Sequence, residues 1–324
     1  MTLINKNRST KIQVLRGLAI MAVVFIHTTP GGAAQVFCRP FLNFAVGIFL
    51  FLSGMLSDAE KWKPSKRLIK ILIPYGIWTL LYTLSSSYKA PGRIIGNYFH
   101  GLIFGDSAAV MYYVFVYCEF TLLIPLIAKL AGSKYRYLGF LIAPVEIICI
   151  RTIPVIAGIH INKYINSIAD LSCLGWFTYF YLGYLLGNNL LKIKASVRSL
   201  AFLLGISIIL QMLEGYWYFS MGITNCGSQM KLSALLTGSI FCLLAFKYIE
   251  SDYPGGPSLL AALGDYSFGI FFSHLLIKKL LLLIPGYSAY VFYPLSAVIL
   301  TIISSVVVMA GRKILGKFAK YLAF

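Results

Sequence analysis

The sequence predicts an all-α fold, a polytopic membrane helical bundle of about ten transmembrane helices with both termini cytoplasmic. Three observations lead there. Of 324 residues, 59% are apolar and 12% charged, and the mean hydropathy is +0.82; an ordinary soluble domain has about 45–50% apolar and about 25% charged residues. A soluble fold of this length has too little interior to hide that much apolar surface, so the bilayer is the solvent for most of the chain. The apolar residues also come in stretches of about 20, the length that crosses a hydrocarbon core of roughly 30 Å. Finally, 28 basic residues stand against 10 acidic ones, a net charge of +18, and they cluster in alternate loops. In a soluble protein that charge would point to nucleic acid. Here no RNP, zinc-finger or helix-turn-helix pattern supports that reading. Membrane lipids are the expected partner, and nucleic acid is not.

The candidate spans run, in order, over 12 to 29, 36 to 57, 68 to 88, 109 to 130 and 137 to 158, then 171 to 191, 197 to 217, 231 to 249, 260 to 284 and 289 to 311. The fifth carries Glu146 and Arg151 with Pro144 and Pro154, and the seventh is interrupted by Glu214. The stretch from Ile94 to Gly105 is too short to span and reads as an interfacial or re-entrant piece. With the N-terminus inside, 19 of the 28 basic residues fall on one face, including Lys61, Lys63, Lys66, Arg67 and Lys70 before the third span and Arg312, Lys313, Lys317 and Lys320 after the last. Eight fall on the other face, and that asymmetry makes the first face cytoplasmic. The first apolar run lacks a convincing cleavage site and is expected to be retained. These spans leave no stretch for a fused soluble domain, so 1–324 is expected to be a single integral-membrane domain.

The six cysteines show no CxxC and the four histidines no HExxH, so no metal site is expected. Cys38 and Cys226 both fall near loops on the outer side, which leaves a disulfide open. His100 and His160 read as interfacial.

The first span, IQVLRGLAIMAVVFIHTT, places Arg16 and His27 eleven residues apart, close to three helical turns. They share one helix face, separated by roughly 16 Å along the axis, so each needs its own partner. An ionisable residue inside a membrane is costly and faces a bundle interior or a watery cavity. The plain alternative is an arginine that snorkels to the headgroups and a histidine hydrogen-bonded near the outer end. Glu119, in MYYVFVYCEF, is the most notable acid within a span.

An Arg and a His with ten residues between them in the first span resemble the signature of membrane-bound acyltransferase family 3, which includes O-acetyltransferases of bacterial surface polysaccharides. Further segments agree in order along the chain. GIFLFLSGML at 47 to 56 is similar to the family's second-span stretch ending in Ser-Gly. KRLIKILIPY at 66 to 75 resembles its basic entry to the third span. WFTYFYLGYLLG at 176 to 187 and LGDYSFGIFFSHLLI at 263 to 277 resemble later patterns. Lys70 stands where the family commonly has a second arginine; lysine keeps the charge but loses the bidentate fork.

The resemblance implies transfer of an acyl group, most simply acetyl, from acyl-CoA to a hydroxyl of a cell-envelope polysaccharide or its lipid-linked precursor, at a bacterial inner membrane. Acetyl-CoA would be a donor substrate, with no metal. Arg16, Arg67 and Lys70 would hold the phosphates of the donor at the cytoplasmic end. His27 would act as general base or as an acylated nucleophile, and Glu119 would set its tautomer or bind sugar. Ser53, Tyr113 and His274 complete the candidate list as substrate-contacting or supporting residues. Read from the residues alone, Tyr112, Tyr113, Tyr179, Tyr181 and Tyr184 have rings that could stack on sugar, and an aromatic belt explains most such residues more simply. The acceptor is a glycan or lipid-linked glycan. Any extracytoplasmic protein needed for transfer would be a separate chain, and a homo-oligomer is compatible with this reading. A rival class is a transporter of a small amino acid or acylated intermediate, with Arg16, Glu119, Glu146 and His274 as its polar path.

Overall fold

A computed structural model describes residues 3–159, 163–253 and 258–324; His160 lies outside the described residues. Every regular element among them is helical. The chain forms α1 (Leu3–Thr28), α2 (Ala33–Cys38), α3 (Phe44–Met55), α4 (Pro64–Ser87), α5 (Ile94–Phe104) and α6 (Tyr112–Gly132). After these come α7 (Ile142–Glu146), α8 (Ile153–Ile156), α9 (Lys163–Leu171), α10 (Phe177–Gly187), α11 (Val197–Ser220) and α12 (Leu232–Glu250). The last are α13 (Leu259–Leu281), α14 (Tyr287–Tyr290) and α15 (Leu295–Leu315). Among the described residues nine helical stretches are long and apolar enough to cross a membrane.

The difference from ten lies in the sixth candidate, where a 3-10 turn, Leu174–Trp176, leads into the 11 residues of α10. This helix is buried on every side from Phe177 to Leu186. A helix wrapped by protein has no lipid-facing stripe to match to the bilayer, so its length is set by packing. The second span is α2 and α3 in series, broken by the 3-10 turn Arg39–Phe41 at Pro40. Asn43 at the break is buried and donates through Nδ2 to the Gly227 carbonyl (3.2 Å). The fifth span, Arg136–Ile156, passes through a π-helical turn at Ile147–Thr152. That turn brings Glu146 and Arg151, five residues apart, to 3.9 Å, so the charged pair is accommodated within the span. The short α5 closes on Gly105, whose left-handed backbone (φ 61°) lets its N–H reach the Gly101 carbonyl.

The chain divides into two compact units. The first gathers Met1–Trp62, Ile124–Ile161 and Leu174–Asp265. At its centre α3 packs on α10, with α1 and α12 against α3. A Cβ on Gly54 would collide with the backbone carbonyl of Phe180; Gly183 stands in the same relation to Phe51, and Gly187 to Met55. Backbones meet here because the side chains are absent. Tyr179 lies fully buried over Gly47 and Gly238, its hydroxyl donating to the Ala234 carbonyl (3.2 Å).

The second unit gathers Lys63–Leu123, Asn162–Cys173 and Tyr266–Phe324. Its core is Ile71, Tyr75, Trp78, Tyr82, Met111, Val114 and Phe272. On α4, Tyr75, Trp78 and Tyr82 follow one another at spacings of three and four, hence on one face. Each donates to a carbonyl of a different segment. Tyr75 bonds Gly101 (2.8 Å) and Leu102 (3.0 Å), Trp78 bonds Leu322 (3.1 Å), and Tyr82 bonds Phe272 (2.8 Å).

The glycine seam gives a direct test. Gly54→Leu or Gly183→Leu is expected to cost at least about 1–3 kcal/mol, because the added atoms meet backbone that has no rotamer to yield. Gly205→Ala on α11, where the new methyl meets open space, should leave stability unchanged or raise it by up to about 1 kcal/mol. Thermal unfolding and monodisperse yield in detergent separate the two outcomes.

Candidate functional site

Arg16, His27 and Ser53 belong to the first unit. Arg67, Lys70, Tyr113, Glu119 and His274 belong to the second, and each group is taken within its own unit.

In the first unit α1 buries Ile12, Leu15, Ala19, Ile20, Val23, Val24 and Ile26, which turns Arg16 and His27 together toward a half-buried face. Gly17 meets the Leu260 carbonyl and Gly264 meets the Gln13 backbone, at distances that exclude a Cβ on either glycine. The start of α13 therefore crosses α1 immediately beside Arg16. Among the described residues no hydrogen bond or ion pair engages the Arg16 guanidinium. Five residues earlier Lys11 is 1% exposed, and its ammonium donates to the carbonyls of Ile249 (3.4 Å) and Ser251 (2.5 Å) at the end of α12. A cation at a helix C-terminus completes orphan carbonyls and complements the dipole. His27 occupies the last turn of α1. Thr28 Oγ1 donates back to Val24 (3.0 Å) and Thr29 Oγ1 to Phe25 (2.8 Å), ending the helix just past the imidazole.

Ser53 precedes Gly54 in the seam with α10. It is half-buried, and its carbonyl accepts the Ser57 hydroxyl (2.7 Å). The Ser-Gly pair is thus explained by helix packing. Asp58, in the turn that follows, is hydrogen-bonded by the Glu60 N–H and paired with Lys61 (3.2 Å), which holds its carboxyl below the usual carboxylate range. Lys61 is accordingly occupied locally.

In the second unit Lys66, Arg67 and Lys70 lie in the first two turns of α4, behind Pro64 at its start. Cations at a helix N-terminus oppose its dipole, so helix stability does not account for them. Arg67 is half-buried, whereas Lys66 and Lys70 are exposed. Tyr113 packs its ring 5.5 Å from Phe271 and 6.4 Å from Tyr117. Glu119 is half-buried, and its Oε2 accepts the Cys173 N–H at 2.6 Å, a short bond that ties down the segment carrying α9.

His274 is fully buried. Its Nδ1 lies 2.8 Å from the Ile270 carbonyl, which only accepts, so Nδ1 carries the proton. The same stretch of α13 is gripped by Tyr82, which donates to the Phe272 carbonyl and accepts from the Leu276 N–H (3.0 Å). Phe272 and Leu276 are the two ends of one helical rung, and the hydroxyl stands between them.

Three of the tyrosines proposed to stack on sugar have other work. Tyr179, Tyr181 and Tyr184 are all buried inside the first unit, and Tyr181 donates to the Arg136 carbonyl (2.7 Å). Cys38 and Cys226 are both free thiols. An open, mainly apolar groove of about 500 Å³ runs along the fifth span, lined by Leu141, Val145, Glu146, Cys149 and Leu174 among others; Glu146 belongs to the polar path of the transporter reading, and none of the acyl-transfer candidates lines the groove. The capping role of Lys11, one of the 19 basic residues on the cytoplasmic face, and the grip of Tyr82 on α13 were not among the sequence expectations. The second was signalled by the Tyr75, Trp78, Tyr82 spacing.

Comparison with protein families matches residues 10–310 to the family model described as an acyltransferase domain. Comparison with curated proteins gives no match, and neither does comparison with solved structures.

The Glu119 geometry predicts that Glu119→Ala lowers stability by about 1–3 kcal/mol, since the Cys173 N–H loses its acceptor. Glu119→Gln, which keeps an acceptor oxygen, should lose less than half of that. Thermal midpoints of the two variants in one detergent check the ratio; equal losses would remove the anchoring role.

Proposed function

The chain belongs to acyltransferase family 3, and from that premise we propose that it moves an acyl group, most simply acetyl, from coenzyme A to a hydroxyl of a cell-envelope glycan or its lipid-linked precursor. It is a multi-pass membrane protein. The inner membrane is the setting that the family implies, and the basic-residue asymmetry favours cytoplasmic termini.

The observation that carries the reading is the pairing, on one half-buried face of α1, of a guanidinium that no described residue engages with an imidazole three turns away. A coenzyme A head carries phosphates, which a guanidinium binds through two parallel hydrogen bonds. Arg16 fits that task, and half-buried Arg67 fits it better than exposed Lys70, which offers a point charge. The pantetheine arm then runs inward along the face that His27 shares. The acceptor oxygen attacks the thioester carbonyl while the His27 imidazole takes its proton. The new C–O bond forms, the C–S bond breaks, and the proton passes to the departing thiolate, so that ester and free coenzyme A are the products. Within the first unit Ser53 supports this face through the packing of α3; Tyr113, His274 and Glu119 remain candidates for supporting roles within the second unit.

Kinetics divide these roles. Arg16→Ala should raise the apparent donor KM about tenfold or more with a smaller change in kcat, the loss of a charged hydrogen bond. His27→Ala should lower kcat about 10²- to 10⁴-fold and leave donor binding intact. The assay is acetyl-CoA consumption and exchange by purified protein, with donor binding measured separately. Equal loss of donor binding in both variants would overturn the division. A wild type that neither binds nor consumes the thioester, yet carries a solute in proteoliposomes, would overturn the acyltransferase reading.

A further inference from the structure

The 3-10 segment Gly316–Leu322, GKFAKYL, follows α15 directly. A 3-10 helix has three residues per turn, so side chains three apart stand in line. That period sorts the segment into three ridges: Ala319 with Leu322, Lys317 with Lys320, and Phe318 with Tyr321. The first turns inward. Ala319 is 4% exposed, the segment packs along α4, and Trp78 Nε1 donates to the Leu322 carbonyl. Beyond it the Phe324 ring lies 6.0 Å from Trp78 and fills space that Gly269 and Gly311 leave open. The tail is therefore clamped to the second unit.

The other two ridges face outward. Lys317 and Lys320 are exposed, as are Phe318 and Tyr321, whose rings lie 6.3 Å apart. Each ammonium stands over the ring of the residue after it, at 5.4 and 5.0 Å. The depth of the segment follows from α15. Its 21 residues cover about 31 Å, enough to cross the hydrocarbon, and Arg312 and Lys313 stand in its last turn. The segment thus emerges where acyl chains give way to headgroups. An aromatic ridge beside a cationic ridge at that depth matches the two layers that it meets.

We propose that Gly316–Leu322 is a docking surface for anionic phospholipid headgroups, with Lys317 and Lys320 holding the phosphates and Phe318 and Tyr321 seated at the acyl boundary. The surface is independent of the transfer chemistry, and its two cations lie outside the donor-binding set.

Purified, delipidated protein is titrated with phosphatidylglycerol or phosphatidylcholine, and retained lipid is counted by native mass spectrometry. The wild type should retain phosphatidylglycerol preferentially. Lys317→Gln with Lys320→Gln should weaken that retention roughly 25-fold, about fivefold per lysine. Lys192→Gln with Lys194→Gln, an equally exposed pair on the connection before α11, should leave it unchanged. Phe318→Ala with Tyr321→Ala should also weaken it, with charge intact. Equal effects of the two lysine pairs, equal retention of the two lipids, or displacement of phosphatidylglycerol by millimolar inorganic phosphate would each overturn the proposal.

Discussion

Helices in a bilayer gain nothing from hiding apolar surface from one another, because lipid is as apolar as a leucine side chain; close packing of backbone is what holds them together. In the first unit that packing comes from Gly54, Gly183 and Gly187, which let α3 and α10 meet carbonyl against Cα. With α10 so placed, its tyrosines are carried inward, and Tyr179 closes the space left by Gly47 and Gly238. The Gly17 and Gly264 crossing repeats the device beside Arg16. The face that carries Arg16 and His27 is thus fixed by residues that have no side chain.

A second theme is the use of side-chain donors on main-chain carbonyls. Lys11, Tyr75, Trp78, Tyr82, Tyr179 and Tyr181 all bond to backbone oxygens on segments remote in sequence. A carbonyl with two lone pairs takes such a bond without giving up its helical one. Inside a membrane, where water is scarce, each bond also settles a polar hydroxyl or indole that would be costly unpaired. The aromatic richness of the chain, with 22 tyrosines and 23 phenylalanines, is in part this function and in part plain filling.

Much of this was legible in the sequence. The apolar stretches located most of the long helices to within a few residues, the starts of α1 and α15 being the larger misses, since a span must satisfy its own backbone and no other element does so in lipid. The sixth stretch was read too long because hydropathy reports what avoids water, and α10 avoids it by being wrapped in protein. The Arg16 and His27 relation on one helix face followed from spacing alone. The engagements of Glu119 with Cys173 and of Lys11 with α12 did not, because both are tertiary contacts whose partner is a backbone atom, and a backbone atom leaves no trace in residue type. Tyr179 and Tyr181 likewise donate to the carbonyls of Ala234 and Arg136, contacts that residue type alone does not announce.

Lys11 carries a further consequence for how the protein is made. Its ammonium caps a helix end that lies 238 residues further along the chain. At about 5–20 residues per second a ribosome needs roughly 12–48 s to supply that distance. During that interval Lys11 lacks the α12 carbonyls that later hold it, and Gly17 has yet to meet the Leu260 backbone. The earliest helix therefore packs on α3 early but gains its contacts with α12 and α13 late. An insertase or chaperone that shelters α1 until α12 arrives would act on that exposed, positively charged intermediate, and truncation before α12 would leave the intermediate as the end product.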